Sequence, residues 1–292
     1  MLSPIDLATL LYVLASGMYI CFNAASFKDL LPHFGARVLI ILLITGLAAL
    51  NAKMPDNKPI LFIRNLYPLL FIGFFYTETY CMKNIIFDKN LDPYFYNMEQ
   101  SLWGCQPSLE FSKYAPWGWF NELMNICYFS FYVLIGASCI TLYLKKMPGA
   151  QKEIFTIIFS FYLYYIIFAI VPVAGPLSHT SNAIVETPPY FFGKLMQEIL
   201  VHIERPTAAF PSSHVGIAAI IAYVTYLHAR KLFFVILPFV IGICFATVYI
   251  KAHYLVDVIA GLISAPVCII ISEKMHAKFL MYNARHLPAK IV

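Results

Sequence analysis

The sequence predicts an all-α polytopic membrane protein with about eight transmembrane helices. Of its 292 residues, 61% are hydrophobic and only 12% are charged, whereas soluble domains carry about 25% charged residues. The mean hydropathy is +0.74. Because about 20 apolar residues span a bilayer as a helix, the chain has room for at most roughly ten spans. The composition excludes an ordinary cytosolic enzyme and a disordered chain.

Hydropathy and chain-breaking residues divide the chain into eight predicted spans. They cover residues 4–22, 31–50, 66–81, 121–144, 154–173, 211–229, 232–250 and 253–272. A segment of mixed character, 82–119, separates the third span from the fourth. Residues 187–204 have the pattern of an amphipathic helix, which either lies on the membrane surface or packs over the loops.

Lysine and arginine in the short loops predict the orientation, because cytoplasmic loops are enriched in both. The basic segments follow spans two, four and six and form the tail: Lys53, Lys58, Arg64, Lys145, Lys146, Lys152, Arg230, Lys231, Lys274, Lys278, Arg285 and Lys290. We therefore expect both termini in the cytoplasm. The net charge of +5 is explained in this way, and no nucleic-acid partner is predicted.

Two polar clusters lie at the ends of apolar spans. Because a charge near lipid is energetically costly, each cluster indicates a functional or structural role. One covers residues 205–214 and opens span six, and the other covers 247–257 and joins span seven to span eight. With eight spans both clusters lie on the extracytoplasmic side.

The second cluster contains a histidine and a carboxylate with helical spacing. His253 and Asp257 are four residues apart, so on a helix they share a face. The carboxylate can then accept the Nδ1 proton and leave Nε2 with its lone pair, as a nucleophile requires. If the residues just before that helix are extended, the side chains of Lys251 and His253 point to the same side.

The first cluster has the pattern of a helix start. Ser212 and Ser213 follow a proline and provide hydroxyl groups for capping. Free backbone N–H groups at such an N-terminus bind phosphate, and His214 lies in its first turn.

Together the clusters predict a phosphoryl-transfer centre without a metal or cofactor. His253 attacks phosphorus and His214 protonates the leaving oxygen. Arg205, Lys251 and backbone amides hold the phosphate oxygens. The alternatives are a structural His–Asp pair, a zinc site, and a transporter with a structural polar cluster.

The sequence resembles the type 2 phosphatidic acid phosphatase superfamily. Residues 211–214 are similar to its P-S-x-H signature, and residues 246–257 to its third signature, with a His and an Asp four apart. The resemblance implies that His253 is the nucleophile, Asp257 its orienting partner and His214 the acid. It also implies a six-helix core at 66–275, preceded by two helices and a cytoplasmic loop at 1–65 and followed by a tail at 276–292.

The sequence departs from the usual pattern in two of the signatures: the first is absent, although Arg205-Pro206 matches its last pair, and the third lacks its first two residues. Ala246 and Thr247 stand where the family has Ser-Arg, and Lys251 is the candidate replacement cation. The motifs are closer to the branch containing inositol phosphorylceramide synthases and related bacterial lipid enzymes. The prediction is a lipid phosphate phosphatase or phosphotransferase whose partners are lipid phosphate and membrane lipids. The alternative is a phosphodiester headgroup transferase.

Overall fold

The computed structural model describes residues 2–24, 27, 29–83, 85–145, 149–180, 187, 189–202 and 206–285. Within these residues the chain forms α-helices and no β-strand. The helices are α1 (Pro4–Phe22), α2 (Leu31–Lys53), α3 (Lys58–Leu66), α4 (Leu69–Met82), α5 (Asp92–Trp103), α6 (Pro107–Tyr114), α7 (Gly118–Leu144), α8 (Ala150–Ile170), α9 (Pro176–His179), α10 (Phe191–His202), α11 (Ser213–His228), α12 (Arg230–Tyr249) and α13 (Leu255–Arg285).

The helices confirm an all-α, multi-pass membrane protein. Among the described residues, seven segments are long and apolar enough to cross a bilayer: α1, α2, α3 with α4, α7, α8, α12 and α13. The remaining predicted span is α11, an apolar helix of 16 residues and about 24 Å at 1.5 Å per residue. Most of α11 is buried among its neighbours, so this short helix belongs to the interior of the bundle.

Two helix boundaries differ from the predicted spans. The third span begins earlier, because α3 leads into α4 with Pro68 between them. The last helix passes residue 272 and continues to Arg285. A charged residue ends a membrane span without ending the helix, since the backbone hydrogen bonds of a helix persist in water. Glu273 therefore lies inside α13, where it forms an ion pair with Lys152 at 2.6 Å.

Contacts between α8, α11 and α13 show which helix ends lie together. His228, at the end of α11, lies 3.1 Å from Glu153 at the start of α8. At the opposite end of α11, the Ser212 N–H donates to the Asp257 carbonyl at 3.0 Å. We call these ends the His228 end and the His214 end. The described residues of both polar clusters, 206–214 and 247–257, therefore lie at the His214 end.

Small residues bring α11 and α13 into close contact beside the site. A Cβ on Gly261 would lie 2.6 Å from the Ser212 carbonyl oxygen, and one on Gly216 would lie 3.1 Å from the Gly261 carbonyl oxygen. Glycine therefore permits the approach of the two helices, as small residues do between membrane helices generally. This packing sets the distance between the two polar clusters.

A buried ion pair joins α2 to α4. Arg37 donates from both terminal nitrogens to the Glu78 carboxylate, at 2.7 and 2.9 Å, and also donates to Ser16 of α1. His33 Nδ1 lies 2.7 Å from the same carboxylate. These bonds fasten the first two helices to the bundle.

Candidate active site

His253 is held by the backbone of the loop that precedes α11. Its Nδ1 lies 2.8 Å from the Ala209 carbonyl oxygen. Because a carbonyl only accepts, Nδ1 carries the proton and Nε2 carries the lone pair. Nε2 is directed toward His214, with its Nδ1 at 3.4 Å.

Asp257 is placed differently from the prediction made from its spacing. Its Oδ2 accepts the Tyr254 N–H at 2.8 Å and lies 3.6 Å from His253 Nδ1. The Ala209 carbonyl is therefore the closer acceptor for the imidazole. The reason is that His253 precedes α13, which begins at Leu255, so the side-chain stacking expected within a helix does not apply. The carboxylate caps the helix and places a charge beside the ring.

His214 is fixed by α11 and by aromatic packing. The Ser212 hydroxyl accepts the Val215 N–H at 3.4 Å, which caps the first turn of the helix. The imidazole stacks on Tyr128, with centroids 4.6 Å apart, and packs against Phe131 at 4.3 Å. The ring therefore has one defined position next to His253.

Both imidazoles line a cavity of about 210 Å³ at the His214 end of the bundle. Its other walls come from the loop before α11, the α8–α9 connection, α4 and α10: Tyr76, Ala174, Leu177, Ser178, Leu200, Pro206, Thr207, Ala208, Ala209 and Ala252. Two imidazoles facing one small cavity can act on a single bound group.

The helix predicted at 187–204 is α10, and it covers this cavity. Met196 is fully buried on its inner side, and Leu200 reaches the cavity wall. Glu122 of α7 accepts the N–H groups of Phe192 and Gly193 and so anchors the start of α10. Its inner face therefore packs on the bundle, while Phe191 remains 71% exposed.

A family comparison covers these same segments. The family model described as PAP2 superfamily matches residues 95–271, more than half of the chain. The chain belongs to the PAP2 superfamily. Membership indicates phosphatase- or phosphotransferase-type chemistry. No curated protein and no solved structure matches the chain.

The part that matches the PAP2 superfamily begins within α5 and ends within α13, so it contains both polar clusters. Helices α1 to α4 precede it. The predicted division of the chain at residues 65 and 275 stays a prediction.

The remaining predicted site residues of this PAP2 protein have varied positions. Lys251 is buried and has a left-handed backbone (φ 65°), and its carbonyl accepts the Leu177 N–H at 2.9 Å. Ser212 is the helix cap, and Ser213 lines a second, apolar cavity. Arg205 lies outside the described residues. Within the described part of the chain, no group of three or more His, Cys, Asp or Glu side chains is arranged to hold a metal.

Two carboxylates that the sequence reasoning missed support the site from α5. Asp92 accepts the N–H groups of Ala174 and Gly175 at 2.9 and 2.8 Å. Glu99 accepts the Val256 N–H, in the first turn of α13, at 3.1 Å. The two residues are seven apart and thus on one helix face. That spacing within the mixed segment was the available signal.

Burial affects the charge of two groups around the site. Glu99 is fully buried, and burial raises the pKa of its carboxyl to about 7. Lys83, which follows α4, donates to the Pro206 carbonyl at 2.8 Å, and burial lowers its pKa. Lys83 was also missed, because a lysine after an apolar span reads as an ordinary span end.

Proposed function

We propose that the protein is a metal-independent lipid phosphate phosphatase in which His253 is the nucleophile. The observation that carries this proposal is the pair of imidazoles on one cavity, with His253 Nε2 and His214 Nδ1 3.4 Å apart. PAP2 superfamily membership supports phosphatase-type chemistry, and the membrane-spanning helices favour a lipid substrate.

In the proposed reaction, a lipid phosphate enters the cavity and displaces the contact between the two rings. The lone pair of His253 Nε2 forms a bond to phosphorus, and the bond between phosphorus and the lipid oxygen breaks. His214 enters this step as an imidazolium, gives its Nδ1 proton to that oxygen and becomes neutral, and the lipid alcohol leaves. Water then forms a bond to phosphorus as the bond to His253 Nε2 breaks, His214 takes the proton of the water, and inorganic phosphate is released.

Asp257 has two functions in this proposal. Its negative charge, 3.6 Å from His253 Nδ1, stabilises the positive charge that develops on the imidazole as the N–P bond forms. The Ala209 carbonyl holds the proton on Nδ1 throughout. The ring therefore presents the same nitrogen in every cycle.

The phosphate oxygens are assigned to residues around the two imidazoles. Lys251 belongs to the loop bonded to Leu177, which lines the cavity. Ser212 and Ser213 begin α11, whose N-terminal N–H groups favour an anion. Arg205 precedes the cavity-lining segment in sequence. We assign phosphate binding to these residues as part of the proposal.

We further propose that the His214 end faces the extracytoplasmic side and that both termini are cytoplasmic. The Asn283 side chain donates to the Leu2 carbonyl at 2.9 Å, so the start of α1 and the end of α13 are adjacent. Lys152 and Glu273 lie at the same His228 end, with the basic loops. Cysteine labelling with a membrane-impermeant reagent, at position 3 against position 178, tests this orientation. Labelling of position 3 from outside would contradict it.

The activity is tested with purified protein and phosphatidic acid in detergent micelles, by measuring released inorganic phosphate. Wild type is expected to release phosphate in the presence of EDTA, and His253→Ala is expected to release none. The matched control is His276→Ala, at the His228 end. Wild-type activity in His253→Ala, or loss of activity with the chelator, would refute the proposal.

A second assay, with a phosphodiester phospholipid in place of phosphatidic acid and a lipid alcohol as acceptor, distinguishes the phosphodiester headgroup transferase predicted as the alternative. In that reaction, the lipid hydroxyl is the acceptor and His253 is its base. If a new phospholipid appears only when an acceptor alcohol is supplied, and no free phosphate is released, the reaction is headgroup transfer and not hydrolysis.

A further inference from the structure

A second cavity, of about 340 Å³, lies between α4, α7 and α8. It is lined almost entirely by apolar and aromatic groups: Leu69, Ile72, Gly73, Tyr76, Thr77, Phe131, Tyr132, Ile135, Gly136, Phe161, Tyr165, Ser213 and His214. We call it the α4–α7 groove. Of these residues, the mechanism proposed above uses only Ser213 and His214.

The groove is continuous with the polar cavity at the His214 end. Tyr76 and His214 line both. Along α4 the groove extends from Tyr76 back to Leu69, which is about 10 Å at 1.5 Å per residue. A molecule with its phosphate between the imidazoles therefore has a direct path for an attached chain into the bundle.

Polar groups along the groove are satisfied within the protein. The Thr77 hydroxyl donates to the Phe74 carbonyl at 2.9 Å, and the Tyr165 hydroxyl donates to the Ile72 carbonyl at 3.0 Å. With these groups satisfied, the surface that the groove offers to a ligand is mostly apolar. The groove also opens at the side of the bundle, because Gly73 is exposed and Tyr132 is 39% exposed. Both residues belong to membrane-spanning helices, so this opening faces lipid.

We infer that the α4–α7 groove binds the hydrocarbon chain of the phosphate-bearing substrate and that α4 selects which chain fits. The inference rests on the proposed function, since the phosphate anchors the molecule at His214. It commits to an acyl or prenyl chain because the walls are apolar, the opening is toward lipid, and the path ends at the phosphate cavity.

The α4 wall of the groove lies outside the part of the chain that matches the family model. The PAP2 superfamily match begins at residue 95, whereas α4 ends at Met82. The imidazoles thus come from the matched segment, and one wall of the tail site comes from a helix that precedes it. Chain selectivity and phosphoryl transfer are then separable by substitution.

Two glycines make the groove open to a direct test. A Cβ on Gly73 of α4, or on Gly136 of α7, would meet no atom of the described residues within 4 Å. A phenylalanine at either position therefore has room to enter the groove. Gly46 of α2 is also a helical glycine with free space around it, and Gly46→Phe is the matched control.

The experiment compares dibutanoyl and dipalmitoyl phosphatidic acid, which share a headgroup, in mixed micelles. We expect Gly73→Phe to lower the ratio of kcat/KM for the long chain over the short chain roughly tenfold, the effect of withdrawing about two methylene groups from an apolar site. Gly46→Phe leaves the ratio unchanged. A folded Gly73→Phe protein with the wild-type ratio would overturn the inference, as would equal loss of both substrates.

A second variant and a second measurement keep the test decisive. If Gly73→Phe fails to fold, Gly136→Phe fills the same space from the opposite wall. A photoreactive group at the end of a dioctanoyl chain should label residues 69–77 in wild type and less so in the variant. Labelling confined to residues that do not line the groove would refute the inference. If wild type cleaves neither substrate, the proposed function fails, while the labelling result still decides for or against the groove.

Discussion

Asp257 offers a test that separates its charge from its structural contact. The carboxylate caps α13 through the Tyr254 N–H and lies 3.6 Å from His253 Nδ1. Asp257→Asn keeps an oxygen for the cap and removes the charge. Asp257→Ala removes both. The two variants therefore differ in stability and should agree in activity.

The size of the activity loss follows from the distance. Two unit charges 3.6 Å apart interact by about 4–5 kcal/mol at an effective dielectric constant of about 20. Each 1.4 kcal/mol is about a factor of ten in rate. If the imidazole carries a full positive charge in the transition state, Asp257→Asn lowers kcat roughly 10³-fold. The cap contributes about 1 kcal/mol of stability, which is lost only in Asp257→Ala.

The assay measures phosphate release together with thermal unfolding in detergent. We expect both variants to lose activity equally, and only Asp257→Ala to unfold at a lower temperature. An active Asp257→Asn beside an inactive Asp257→Ala would show that the residue is only a helix cap. Such a result would refute the electrostatic reasoning and leave the Ala209 carbonyl as the sole partner of the ring.

Three other predictions concern the supporting structure. Gly261→Ala puts a methyl group 2.6 Å from the Ser212 carbonyl, so we expect a loss of about 1–3 kcal/mol in unfolding free energy with reduced activity; an unchanged unfolding midpoint would contradict it. Glu78→Ala leaves Arg37 as a buried, unpaired charge and should lower the free energy of unfolding by about 3–5 kcal/mol. Replacing both residues by leucine should restore part of this stability, and a Glu78→Ala protein as stable as wild type would disprove the role of the pair. Glu99 ionises near pH 4.5 in the unfolded chain, and burial raises its pKa to about 7 in the folded protein. The contribution of Glu99 to the free energy of unfolding is therefore fully present below pH 4.5 and is lost as the pH rises through 7. Unfolding temperatures measured from pH 5 to 8 should show this loss in wild type and not in Glu99→Gln, and parallel curves for the two proteins would refute the prediction.

Much of the architecture can be predicted from the sequence because hydropathy identifies the segments that are buried away from water. The spans, their order and the meeting of the 205–214 and 247–257 clusters at one end all follow from that pattern and from counting spans. Charged residues predict helix boundaries less accurately: Glu273 predicts an end at residue 272, although α13 continues as a helix to Arg285.

The contacts inside the site could not be predicted as well from the sequence. The spacing of His253 and Asp257 assumed that both belong to one helix, but the chain turns into α13 only at Leu255, and a backbone carbonyl 44 residues away in sequence takes the nearer place. A carbonyl has no sequence signature. Likewise, Asp92 and Glu99 belong to a mixed segment, where their spacing of seven residues indicates a shared helix face but does not show whether that face is buried or solvated.

The Ala209 carbonyl has a consequence for how this protein is studied. Alanine scanning leaves every main-chain oxygen intact, so a scan across residues 206–212 would pass over the group that lies closest to the His253 proton. Replacing the amide between residues 209 and 210 by an ester weakens that acceptor while preserving every side chain. Backbone chemistry, rather than a mutant library, is the means to examine how this histidine is aimed.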